Sequence, residues 1–234
     1  MVAAIIFSGE TDPLVFILYR LFLTTVLMQL LVKAYNMSTF IDPADHKRLC
    51  AAGMLSFMNI LFATLALTFI APSRFSIFQP CIPCIVTALS MLFKLEKIVS
   101  LKLVGIALAV AGAFIAELWK MGPSDESKEL NVPLGVFFAT TQVFSMAGLQ
   151  IVVKPLLNKY DTTVVSAMYF VVSTFAIMLL VLCRIDIIPP NDFIFNGDSM
   201  SWLALLYVVI FATLYSFTAI NWGGKHLPPT VTTV

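Results

Sequence analysis

Seven stretches of this chain are long and apolar enough to cross a bilayer as α-helices, and they leave little sequence for anything else: Leu14 to Ala34, Leu49 to Ile70, Ser73 to Leu95, Leu101 to Trp119, Val132 to Val153, Thr163 to Cys183 and Ser201 to Trp222. A spanning helix needs about 20 mostly apolar residues, whereas membrane-barrel strands alternate apolar and polar over about 10, a pattern these stretches lack. With 60% hydrophobic and 12% charged residues and a mean hydropathy of +0.96, the chain has too little polar surface to cover a soluble globule of 234 residues. The expected fold class is all-α: a polytopic helix bundle, integral to the membrane and multi-pass. The sequence does not distinguish a plasma membrane from an organelle membrane.

Charge in the loops sets the orientation. Taking alternate loops as one side collects Lys33, Lys47, Arg48, Lys94, Lys97, Lys102, Lys154, Lys159 and Lys225 against the acids Asp42, Asp45, Glu96 and Asp161. The other side holds only Arg74, Lys120, Lys128 and Arg184 but nine acids, among them Glu10, Asp12, Asp125, Asp186 and Asp198. Basic residues are retained on the cytoplasmic face, so the first side is expected to be cytoplasmic. The sequon Asn36-Met37-Ser38 lies on that side and should stay unglycosylated. Met1 to Phe7 has neither the basic start nor the small-residue cleavage site of a signal peptide. A net charge of +1 without any basic cluster gives no footprint for nucleic acid. Cys50, Cys81, Cys84 and Cys183 fall in or at the ends of spans and read as small apolar fillers rather than a disulfide or redox set.

The helix pattern occurs twice. Asp12-Pro13 opens one apolar run and Asp161-Thr162 another, 149 positions later (12 to 161), and the turn around Ala71-Pro72-Ser73 returns as Pro228-Pro229-Thr230, 157 positions on (72 to 229). Matching loops differ in sign: Ser8-Gly9-Glu10-Thr11 is acidic where Leu157-Asn158-Lys159-Tyr160 is basic, and the loop 35–48, flanked by Lys33, corresponds to 184–200 with Asp186, Asp192 and Asp198. Two copies with opposite loop charge are what oppositely inserted halves produce, and such inverted repeats are an architecture of transporters. The expected domains are a first repeat over 1–119, a charged linker over 120–131 and a second repeat over 132–234. On this alignment the first helix is truncated and two helices at the end are missing from a ten-helix bundle of two inverted five-helix repeats.

The residues Ala66-Leu67 through Ser73, then Phe75-Ser76-Ile77-Phe78-Gln79-Pro80, Leu95-Glu96-Lys97, and Leu101-Lys102-Leu103-Val104-Gly105 to Ala111-Gly112 resemble the EamA family of drug/metabolite transporters, and Asn221-Trp222 to Pro228-Pro229-Thr230 looks like that family's other half. The corner Leu95-Glu96-Lys97 is somewhat closer to the plant walls-are-thin type. The resemblance implies ten helices in two inverted repeats and a central cavity that gives a small organic solute alternating access. Arg74 in the short turn and the pair Pro80 and Pro83 depart from the family pattern.

The candidate cavity residues are Arg20, Asn59, Phe78, Gln79, Pro80, Pro83, Gln142, Ser145 and Tyr215. Arg20 is the one charge well inside a span, six residues past Leu14 and so about 9 Å deep. A charge there costs about 2.5 to 3.5 kcal/mol on insertion scales; it either snorkels to the headgroups or serves the electrostatics of a cavity. Pro80 and Pro83 deprive the carbonyls of Ser76 and Gln79 of their helical donors, and a broken helix at membrane depth is tolerated beside protein or a wet cavity. Asn59 and the pair Gln142 and Ser145 interrupt apolar helices, either to bond neighbouring helices or to face a solute. Tyr19, Phe78, Tyr207, Tyr215 and Trp222 are available as aromatic walls, while Gly105 and Gly112 suggest a close helix seam.

No acid or histidine lies deep in a span, so a membrane enzyme lacks its reactive groups, and no catalytic residue, metal site or cofactor is expected. The expected function is transport of a small organic metabolite, by facilitated diffusion or exchange since no intramembrane acid offers proton coupling. A passive channel or a non-transporting membrane scaffold is the alternative. The expected partners are a small-molecule substrate and the lipid bilayer, with a homodimer open to it.

Overall fold

The computed structural model describes residues 12–93, 131–184 and 199–226, with scattered helical positions between 104 and 115. Among them six helical segments are long and apolar enough to cross a membrane, coinciding with six of the seven expected spans; most of Leu101 to Trp119, residues 120–130 of the linker and the ends of the chain lie outside the described residues. The protein is an all-helical, multi-pass membrane protein.

Helix α1 is Pro13–Ala34. It starts where Asp12 Oδ1 accepts a 2.7 Å bond from the Leu14 amide and Pro13 sits at the first helical position, where a missing N–H does no harm. It ends where Asn36 takes a left-handed conformation (φ 48°) and the Met37 amide reaches back to the Val32 carbonyl at 3.1 Å. A short 3-10 turn, Pro43–Asp45, leads into α2, His46–Phe69. Pro72 holds Ala71 extended and opens α3, Pro72–Ser76, which is followed by α4, Cys81–Leu92. The second stretch contains α5, Val132–Lys159, capped by Asn131, and α6, Thr162–Cys183. The last span is α7, Ser199–Tyr207, a π-helical segment, Val208–Tyr215, and α8, Ser216–His226.

Two helices run well past the ends expected from the sequence. Helix α5 runs past Pro155 to Lys159 rather than ending at Val153, because Leu156 and Leu157 on the far side of the proline are fully buried and hold the last turn in place. Lys154 therefore lies inside a helix, where it bonds the Gly224 carbonyl. The last span extends to His226, which belongs to the helix and not to a loop.

The core is built where α1, α2, α5 and α6 meet, around Tyr169, Phe170, Leu21, Met28, Ile60 and Leu156. Lipid is as apolar as these side chains, so close packing and interhelical hydrogen bonds hold the helices together. At the crossing of α2 with α6 the backbones approach so closely that a Cβ on Gly53 would collide with Val172 and stand 2.9 Å from the Tyr169 carbonyl oxygen, and Ser173 Oγ donates to the Gly53 carbonyl at 2.8 Å.

Helices α1 and α6 are antiparallel: Leu21, Thr25 and Gln29 meet Thr174, Phe170 and Ala167 in descending order. Both have 22 residues, and α6 starts and ends 149 positions after α1 (13 to 162, 34 to 183). The same interval separates Thr25 from Thr174, whose hydroxyls lie 2.7 Å apart. Thr25 Oγ1 is 3.1 Å from the Phe170 carbonyl and Thr174 Oγ1 is 3.2 Å from that of Leu21, two acceptors separated by the same 149 positions (21 to 170).

Replacing Gly53 by Ala should destabilise the protein by about 1–3 kcal/mol through overpacking, seen as a lower thermal midpoint in detergent. Thr25→Val and Thr174→Val should each cost about 1 kcal/mol, matching one another, and the double variant should cost less than their sum, since both remove one shared contact. Strictly additive costs would dissociate the two hydroxyls.

Candidate functional site

Three amide side chains from three helical segments form a chain inside the bundle. Gln142 of α5, buried, donates through Nε2 to Asn59 Oδ1 of α2 at 2.8 Å, and Gln79 Nε2, in the break between α3 and α4, reaches Gln142 Oε1 at 3.4 Å. Lipid offers no hydrogen bonds, so three amides on neighbouring helices find each other. Asn59 Nδ2 and Gln79 Oε1 remain at the two ends, a donor and an acceptor without a protein partner among the described residues. Three positions before Asn59, on the same helix face, the buried Ser56 hydroxyl also lacks a partner among them.

The proline-rich break places Gln79. Its backbone is not left open: the Gln79 amide donates to the Ser76 carbonyl at 3.2 Å and the Ile82 amide to the Gln79 carbonyl at 3.1 Å. The two carbonyls that Pro80 and Pro83 orphan thus take donors one residue nearer, in 3-10 fashion, and the side chain rather than the backbone is what this break presents. Pro83 is buried, and Phe78 packs at the same level on a small cluster of Ala66, Ile70 and Ala139. Ser145, though buried, turns its hydroxyl back to the Thr141 carbonyl at 2.8 Å and takes no part in the amide chain.

Arg20 lies elsewhere. Its Nε donates to Thr213 Oγ1 at 2.9 Å, and the Thr213 hydroxyl, fully buried, donates to the Val208 carbonyl five residues back. Ser216 bonds the Phe211 carbonyl in the same five-residue pattern, so the two hydroxyls brace the wide π-helical turn. Tyr215 joins neither group: it is 67% exposed among the described residues, Tyr207 and Trp222 are exposed too, and Tyr19 packs edge-on against Trp202. Among the described positions of the fourth expected span, nothing lies within 4 Å of a Cβ placed on Gly105 or Gly112.

Two polar groups had no signal in the sequence. Asn221 Nδ2 of α8 donates to Ser166 Oγ at 2.7 Å and to Tyr169 Oη at 3.0 Å, all three buried. At the edge where α5 ends and α6 begins, Asp45 accepts from Lys159 at 2.9 Å and from Tyr160 at 3.2 Å, and Arg48 approaches at 3.8 Å. Tyr160 Oη in turn accepts from the Asp42 amide, and Lys225 reaches the Tyr160 carbonyl, so one corner ties the loop before α2 to the end of α8.

Among the described residues no group of His, Cys, Asp and Glu is arranged to hold a metal ion. Comparison with curated proteins gives no match. The model of the EamA-like transporter family matches residues 1–118, half of the chain, a stretch that holds Arg20, Asn59, Phe78, Gln79, Pro80 and Pro83. With six membrane-crossing helices and polar side chains gathered inside them, the chain belongs to the EamA-like transporter family.

Proposed function

We propose that the protein is a carrier that moves a small organic metabolite by alternating access, through a cavity between two inverted repeats of a ten-helix plan, residues 1–119 and 132–234 joined by 120–131. The observation that carries this reading is the amide chain Gln79, Gln142, Asn59: it spans three helical segments at membrane depth and ends in an unused donor and an unused acceptor. A few placed polar groups in an apolar surround are what a solute site in a bilayer requires. The equal spacing and antiparallel run of α1 and α6, with Thr25 set against Thr174, supports the inverted relation of the halves. Lys33, Arg48, Lys159 and Lys225 fall near one edge, which we take as cytoplasmic, and the Asp45 corner is then an inner closure. None of the described helices contains Asp or Glu, in keeping with exchange or facilitated diffusion rather than proton coupling.

Reconstituted protein should show saturable uptake with counterflow when metabolites are screened in proteoliposomes. Gln142→Leu should lower that uptake about tenfold or more, with a change of only about 1 kcal/mol in stability, since membrane hydrogen bonds of this kind are individually weak. Unsaturable flux would instead identify a pore, and unaltered uptake by the Leu variant would remove the amide chain from the solute path.

A further inference from the structure

Arg20 stands seven residues into α1, about 10 Å along its axis, where a charge is expensive unless it meets water or an opposite charge. Arg20 itself is half-buried rather than turned fully to the lipid. One turn to either side on its own face lie Phe16 and Thr24, both buried, while the exposed stripe of α1, Phe22, Val26 and Leu30, points elsewhere. Its Nε is also tied to Thr213 of the π-helical segment.

Nor do the described residues supply the opposite charge. The helices against which α1 packs are α2, α6 and the span 199–226, and none of them carries an Asp or Glu. Asp45 and Asp161 pair with Lys or Arg at the other end of α1, and the Asp12 carboxylate caps the first turn through Leu14. Thr213 uses its own proton on Val208, so it meets Arg20 as an acceptor and takes up Nε alone. The Nη1 and Nη2 fork is left without a partner among the described residues.

A planar guanidinium fork matches a carboxylate through two parallel hydrogen bonds, a geometry that an ammonium group does not offer. We propose that Arg20, positioned by Thr213, is the counter-charge for the transported solute, and that the solute is an organic monoanion bearing a carboxylate. The assignment rests on the carrier reading and narrows it. The solute's anion neutralises Arg20 within the bilayer, and the π-helical turn around Thr213 gives the wider helix geometry often found at functional sites.

Benzoate and benzamide, alike in shape and different in charge, test this on the full chain. In detergent, benzoate should raise the thermal midpoint of the wild type and benzamide should not. Arg20→Gln should abolish the benzoate shift, and Arg20→Lys should keep only part of it because the fork is lost. In proteoliposomes, benzoate counterflow should fall about tenfold or more in Arg20→Gln through a raised KM. Thr213→Val, which leaves the charge but frees Nε, should raise KM less and serves as the variant of choice if Arg20→Gln does not fold. An equal benzoate shift in wild type and Arg20→Gln, or a wild-type preference for benzamide, would overturn the proposal. A benzoate shift that depends on Arg20 in a protein without any flux would keep the anion site and dismiss the carrier.

Discussion

The bilayer's inability to hydrogen-bond governs this structure. Polar groups inside a span gain from finding a partner within the protein, and most of those in the described helices do so at one of two levels. Many single hydroxyls fold back on their own helix, as Thr24, Thr64, Thr87, Thr140 and Ser145 do onto carbonyls one turn earlier, while Thr25, Ser173 and Thr174 also bond across a seam. Amides and the guanidinium have too many donors and acceptors for that and reach across to another helix. The cross-helix contacts of Asn59, Gln142, Gln79, Asn221 and Arg20 are therefore the places where the bundle is specified rather than merely filled.

The spans were legible because hydropathy and length alone define them, and six of seven coincide with described helices. Their ends were less so. Pro155 reads as a stop, yet burial of Leu156 and Leu157 outweighs the lost hydrogen bond and carries α5 another turn. The π-helical segment left no trace either, since Val208 to Tyr215 is as apolar as any neighbouring turn and only the two hydroxyls at 213 and 216 betray it.

The candidate site divides in the same way. Asn59, Gln79 and Gln142 stood out as polar interruptions, and the structure joins them. Helices apolar on every side carry no periodic signal for which face is inward, and Tyr215 stands exposed among the described residues. The group of Ser166, Tyr169 and Asn221 escaped notice for the opposite reason: a serine and a tyrosine in an apolar helix pass for packing until a third helix brings an amide between them.

The paired threonines at the seam of α1 and α6 carry a consequence of their own. Each hydroxyl has one proton and two mirrored acceptors, the other hydroxyl and a carbonyl across the seam. Turning both C–O bonds reverses the sense of the contact without displacing a heavy atom. A seam that reads the same from either side therefore keeps its contact whichever of the two hydroxyls donates.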